Sequence, residues 1–275
     1  MINAIGGTAH YSSISQTENR HVRSEDCKSH NVYSFCYDSN NDGLYPSRLN
    51  GEPKYLSPSE VGKFSLWIPT EENGVALDFH SAEKFFSTDI SPAERKSFYD
   101  STMEVREFHE NDRRYVFSLA RQQAEKHLVG QLSVFSKVDV SAGKCIGVYA
   151  GEVVNNDNIY KFSEHDINTY SMEFHMRSGS EKNETIIVGD GAISRINGIF
   201  EYDEARGWHE AESGFNVCVE GVPAELNNGD EVLFPCYFAI SDIKPGEELR
   251  VLYGYNDQAV SEIMSRYGSP NQHHQ

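Results

Sequence analysis

Two phenols close the most patterned stretch of this 275-residue chain. An apolar run (Tyr237, Phe238, Ala239, Ile240) enters a turn at Lys244-Pro245-Gly246, an acidic pair (Glu247, Glu248) follows, and a second alternating run ends on Tyr253 and Tyr255. Apolar runs on both sides of a Pro-Gly turn predict a β-hairpin that carries both hydroxyls to its end. Strand tyrosines either pack at a rim or present their hydroxyl groups to a site. Competing chemistries lack local signatures: there is no G-x-x-x-x-G-K-S/T, no G-x-S-x-G and no H-E-x-x-H. The five cysteines (Cys27, Cys36, Cys145, Cys218, Cys236) include no C-x-x-C pair, so neither a metal site nor a disulfide framework is expected.

Three further blocks precede this one. The first runs through Val134-Phe135-Ser136, then Asp139 to Gly143, then Gly147-Val148-Tyr149-Ala150-Gly151-Glu152. The second is Tyr170-Ser171-Met172-Glu173-Phe174, and the third spans Ile187 to Gly198, with Asp190, Arg195, Ile196 and Asn197 at fixed spacing. Taken in order with the closing block, they resemble the SET-domain family of S-adenosylmethionine-dependent protein-lysine methyltransferases. The resemblance implies that Tyr253 is the active-site tyrosine and that Tyr170 and Tyr255 shape a lysine channel. It also implies that the cofactor is held by Leu132, Ser133, Val134, Arg195, Asn197, Gly198 and Asn216. The chain departs from the family pattern at four places. Ser241 stands where an arginine is usual, Leu132-Ser133 replaces a G-x-G, Gly198 replaces a histidine, and about eighteen residues separate Asn197 from Asn216. A glycine still offers a backbone N–H and C=O to a ligand.

The elements expected to carry these groups fall into segments. Residues 1–50 are Ser-, Asn-, Asp- and Gly-rich without apolar period, and read as a mobile leader. Residues 51–128 read as mixed and mainly helical. They include strands at Phe64 to Pro69 and Ala76 to Phe79, and a helix opened by Ser91 as N-cap, Pro92 and Glu94. A further helix runs from Asn111-Asp112 to His127. Residues 129–256 read as the SET-like domain, with strands at Leu132 to Val138, Cys145 to Ala150, Tyr170 to Met176 and Thr185 to Val188. Residues 257–275 read as a helix N-capped by Asp257 and a tail. The insert after Asn197 reads as a solvated loop or as an acidic lip suited to a basic peptide, since residues 201–231 hold nine acidic residues and one basic one, Arg206. The fold class is α+β: a SET fold of short antiparallel strands and small sheets, with a helical N-terminal appendage and a C-terminal helix.

Bulk composition limits the partners. A net charge of −18 argues against duplex binding and favours basic protein partners. No run of 18 apolar residues predicts a membrane span, and the N-terminus has no secretory pattern. The expected activity is methyl transfer to a lysine of a basic protein such as a histone. A catalytically inactive SET-fold binding module is the alternative, and an unrelated all-β interaction domain is the third reading. The expected location is intracellular. The Ser/Asn-rich leader is also compatible with a bacterial effector delivered into a host cell, or with a plain disordered tail.

Overall fold

Runs of β-branched and aromatic residues between turns build a chain that is mostly strand. A computed structural model describes residues 55–56, 61–64, 71–86, 92–113, 125–149, 151–154, 171–178, 181–189, 191–226, 229 and 231–267. The early strands are β1 (Tyr55–Leu56), β2 (Val61–Phe64), β3 (Glu71–Glu72) and β4 (Val75–Ala76). Two helices, α1 (Glu83–Phe86) and α2 (Pro92–Thr102), lead into β5 (Met103–Glu107) and β6 (Leu132–Ser136). Then come β7 (Cys145–Val148), β8 (Gly151–Val154), β9 (Ser171–Ser178), β10 (Glu181–Gly189), β11 (Phe200–Asp203), β12 (Gly207–Glu210), β13 (Val217–Leu226) and β14 (Glu231–Ala239), before the closing helix α3 (Asp257–Tyr267). Many short antiparallel strands with few helices are compatible with the SET-like fold expected from the sequence. No helix among the described residues is long and apolar enough to cross a membrane.

Eight strands form the main sheet in the order β1-β8-β10-β9-β14-β13-β2, with β7 also paired to β14. Strand β14 is its axis. One edge pairs with β13 over its whole length, and the other passes from β9 at Val232 to β7 at Cys236. Pro235, which has no N–H to give, stands at that handover. Phe234, Cys236, Tyr237, Phe238 and Ala239 are fully buried, each large side chain contributing about 1.5–3 kcal/mol. Strands β1 and β2 extend the main sheet, and β5 pairs with β6 from Met103↔Ser136 to Glu107↔Leu132. Pro92 and Glu94 do open α2, and the fully buried Tyr99 on it accepts a 3.2 Å hydrogen bond from the Val148 N–H.

Several expectations change on folding. Ala76 ends a two-residue strand, and Phe79–Ala82 is a 3-10 turn held by Asp78, whose carboxylate accepts from the Ser81 N–H. The expected hairpin over residues 237–255 does not form. Its first arm is β14, but its second arm bonds to other parts of the chain. The turn itself is as predicted: Gly246 has φ +84° and the Glu247 N–H donates to the Lys244 carbonyl at 3.0 Å. Asn256, not Asp257, caps α3, its side-chain oxygen accepting from the Ala259 N–H at 2.9 Å. The insert is an ordered hairpin, β11–β12, rather than a loop. The leader, Ser91, most of the strand expected at Phe64 to Pro69, and most of the helix expected before His127 lie outside the described residues.

The Gly147-to-Glu152 block has a steric cause. A Cβ on Gly151 would lie 2.0 Å from the Val188 carbonyl oxygen and 2.9 Å from the Gly189 Cα. Both neighbours are sheet backbone and cannot rotate away. Gly151→Ala is therefore expected to destabilise the fold by about 1–3 kcal/mol, read as a lower urea midpoint with unchanged slope.

Candidate functional site

The site is assembled by the segment that follows the Pro-Gly turn. On one side the Ser136 N–H donates to the Glu247 carbonyl and the Leu249 N–H to the Val134 carbonyl, both at 2.8 Å. On the other, the Val251 N–H donates to the Asn197 carbonyl at 3.0 Å, and the Asn216 and Val217 N–H groups donate to the Arg250 carbonyl at 3.2 and 3.1 Å. The segment thus runs between β6 and the two asparagine-bearing stretches, which explains why it does not pair with β14. Asn216 locks it from both ends of its amide. Its Nδ2 donates to the Glu248 carbonyl and its Oδ1 accepts from the Arg250 N–H, each at 2.8 Å.

A buried charge cluster fills the inner side of this segment. Arg250 is 1% exposed; its Nη2 lies 2.6 Å from Glu248 and 3.5 Å from Glu125, and its Nη1 donates to the Gly198 carbonyl at 2.9 Å. The guanidinium also sits 5.4 Å from the centre of the Phe108 ring. Two acids, one carbonyl and an aromatic face thus share one cation and offset its charge, although Arg250 Nε and Nη2 find no well-aligned hydrogen-bond acceptor among the described residues.

Around this frame several of the sequence-predicted residues meet. Asn197 Nδ2 donates to the Leu132 carbonyl at 3.1 Å and to Ser133 Oγ at 2.6 Å, joining groups more than sixty residues apart. Tyr253 donates its hydroxyl to the Ile196 carbonyl at 2.5 Å. Its ring stacks on that of Tyr255, 5.3 Å between centres and 27° between planes, and Phe200 tilts against Tyr255 at 6.3 Å. Burial, and next the phenol of Tyr255, push the Tyr253 pKa well above the ordinary phenol value. The buried Tyr237 phenol beside it is raised for the same first reason. Tyr253 is therefore a neutral hydroxyl at any physiological pH, able to orient a reactant but not to serve as a phenolate base.

The remaining candidate residues surround this group or lie elsewhere. Gly198 is buried against Tyr253; an added Cβ would lie 3.4 Å from that ring, so space alone does not demand a glycine. Val134 is fully buried in β6, and Arg195 is half-buried close enough to bias Tyr253. Tyr170 lies outside the described residues. Sequence reasoning did not find Glu210, the most direct support of the two tyrosines. Its Oε1 accepts from the Tyr253 N–H at 2.7 Å and its Oε2 from the Tyr255 N–H at 2.8 Å. It comes from the inserted hairpin, where it was one acid in an acidic run. The same hairpin sends Arg206 to Asp257 at the start of α3, two bonds at 2.6 and 2.7 Å.

No family model matches the chain, and no curated protein matches it. Among solved structures, the methyltransferase domain of human PR domain-containing protein 2 is 15% identical over 57% of this chain and 78% of that one, at a TM-score of 0.31. The Polycomb Repressive Complex 2 of Chaetomium thermophilum is 20% identical over 49% of this chain and 16% of that one, at 0.30. The same complex in an autoinhibited conformation bound to S-adenosylmethionine is 16% identical over 64% and 18%, at 0.32. The chain spans less than a fifth of the length of these Polycomb chains. Likenesses of this size are slight, and the chemistry of the site is read from its own geometry.

Burial raises the Glu210 pKa, against the pull of the Tyr253, Tyr255 and Gly254 N–H groups. Between the ordinary carboxylate pKa and this raised one, the folded state holds more protons than the unfolded state, so this group's contribution falls as pH rises through that window. Glu210→Gln is expected to flatten that part of the stability-versus-pH curve in urea melts. Glu210→Ala leaves two backbone donors without their acceptor and is expected to cost about 1–3 kcal/mol, with faster amide exchange at residues 253–255.

Proposed function

We propose that the chain is an S-adenosylmethionine-dependent protein-lysine methyltransferase acting on a basic protein such as a histone. The observation that carries this reading is that Asn197 meets the Leu132 carbonyl and Ser133 Oγ while the Tyr253 hydroxyl meets the carbonyl of neighbouring Ile196, groups far apart in sequence that stand at the positions of the family's blocks. The donor set fits the cofactor. Asn197 spends its Nδ2 on Leu132 and Ser133, and its Oδ1 would serve as the acceptor for an ammonium group. Gly198, whose carbonyl Arg250 holds, would meet the cofactor through its N–H, since the Leu132 and Val134 carbonyls are engaged by Asn197 and by the Leu249 N–H. Asn216 is left out of the cofactor set because both ends of its amide are engaged by the Glu248–Arg250 backbone.

The bound cofactor would supply a sulfonium methyl group for in-line displacement by an amine. The chain's residues must present that amine neutral and aligned. A free lysine titrates near 10.4, and an apolar site lowers that value. Tyr253, neutral and anchored on the Ile196 carbonyl, keeps an oxygen lone pair to orient the amine or the methyl. Because it cannot act as base, the lysine proton leaves to solvent before alignment. Tyr255, stacked on Tyr253, shapes the channel in this reading, and the family resemblance gives Tyr170 the same part. The exposed acids Glu204 and Glu212, on and just beyond the β11–β12 hairpin, suit a basic peptide. An intracellular setting, including delivery into a host cell, supplies such substrates.

A binding module without catalysis is the second reading, favoured by the internal engagement of the Asn197 amide nitrogen. Calorimetric titration with S-adenosylmethionine separates the two. Saturable binding that Asn197→Ala abolishes supports the enzyme; no heat at millimolar cofactor leaves the binding module. For the enzyme, Tyr253→Phe is expected to retain cofactor binding and to lower methyl transfer to histone peptides about a hundredfold, since it loosens alignment rather than affinity.

A further inference from the structure

A second site lies away from the tyrosines and shares no residue with them. A cavity of about 290 Å³ opens between α2, β6 and the start of β7. Its floor is apolar and closed, formed by Met103, Cys145, Ile146 and Leu249, none more than 4% exposed. Phe98 forms a wall, and three charged side chains stand at the rim: Lys84, Lys144 and Asp139. Two of these are already paired. Lys144 reaches Asp78 at 2.5 Å and Asp139 reaches Lys244 at 2.9 Å. Lys84 is different. Its ammonium rests on aromatic faces, 4.2 Å from the centre of Phe98 and 5.0 Å from that of Phe85, and no carboxylate among the described residues lies within ion-pair distance of it.

From this geometry we propose that the cavity binds a small monocarboxylate, its apolar tail on the Met103–Ile146–Leu249 floor and its carboxylate on the Lys84 ammonium. The charge argument is direct. Aromatic faces attract a cation more weakly than an anion does, so for the exposed Lys84 ammonium at the edge of an apolar hollow a carboxylate is the stronger partner. Partial burial lowers the Lys84 pKa, opposed by the neighbouring Cys145 and helped by repulsion from Lys144. In a chain of net charge −18, a cation with no acid at ion-pair distance among the described residues, beside an apolar hollow, is a selective feature. The volume sets the size. At about 30 Å³ for each water-sized group, 290 Å³ admits about ten non-hydrogen atoms, near the lower end of ligand pockets. That is a medium-chain acid, not the tail of a membrane lipid. This inference does not depend on the methyltransferase reading.

The test is calorimetric titration of the full chain with octanoate, octanol and hexadecanoate. Octanoate is expected to saturate, with octanol at least about tenfold weaker because it cannot pair with Lys84. Hexadecanoate is expected to gain nothing over octanoate, since its extra carbons lie outside the cavity; stronger binding of the long chain would point to a lipid surface and overturn the size argument. Lys84→Met should weaken octanoate about tenfold and leave octanol unchanged, with Lys84→Arg restoring most of the loss. A urea melt of each variant confirms that the fold is kept. Equal binding of octanoate and octanol, an unaffected Lys84→Met, or no saturation at millimolar octanoate would each refute the proposal.

Discussion

The Arg250 guanidinium is the constraint around which this chain closes. It is a full charge at 1% exposure, and it is tolerable only because Glu248, Glu125, the Gly198 carbonyl and the Phe108 ring surround it. Those partners come from widely separated stretches. Satisfying one cation therefore brings the segment after the Pro-Gly turn, the end of the Asn197 block and the approach to β6 to a single place.

With that segment fixed, the site becomes a matter of backbone rather than of mobile side chains. Asn216 holds the Glu248–Arg250 backbone from both amide ends, Asn197 ties Leu132 and Ser133 to the opposite edge, and Glu210 takes the N–H groups of Tyr253 and Tyr255. The two tyrosines have little freedom left, since each is held at its main chain and stacked at its ring. The inserted hairpin, a departure from the family pattern, supplies the carboxylate that does this. It also ties itself to α3 through Arg206 and Asp257, so the insert is a support of the site as well as an acidic surface.

What could be read beforehand was local. Pro92 and Glu94 announced α2, Pro245-Gly246 announced the turn, and the alternation at residues 171–176 and 185–188 announced β9 and β10. The glycines of the Gly147-to-Glu152 block were visible as a motif, while the reason for Gly151, a carbonyl of β10 pressed against its Cα, needed the sheet. The hairpin expected at residues 237–255 failed because hairpin signals describe neighbours in sequence. They carry no information about a competing partner such as the Asn197 carbonyl, more than fifty residues away. Glu210 was hidden for the opposite reason: nothing in its surroundings separated one buried acid from the exposed ones beside it.

The sequence by itself determined which chemical groups exist and in what order: an asparagine before a glycine, two tyrosines after a Pro-Gly turn, an acidic surface, and no local metal or nucleophile motif. It also settled the short elements whose signals are written in consecutive residues. Only the tertiary structure decided that Asn197 meets Ser133, that Tyr253 meets the Ile196 carbonyl, and that Lys84 stands beside an apolar hollow. The physical reason is that hydrogen bonds and ion pairs act over about 3 Å. Residues dozens of positions apart come within that reach only after the sheet has set the path of the chain.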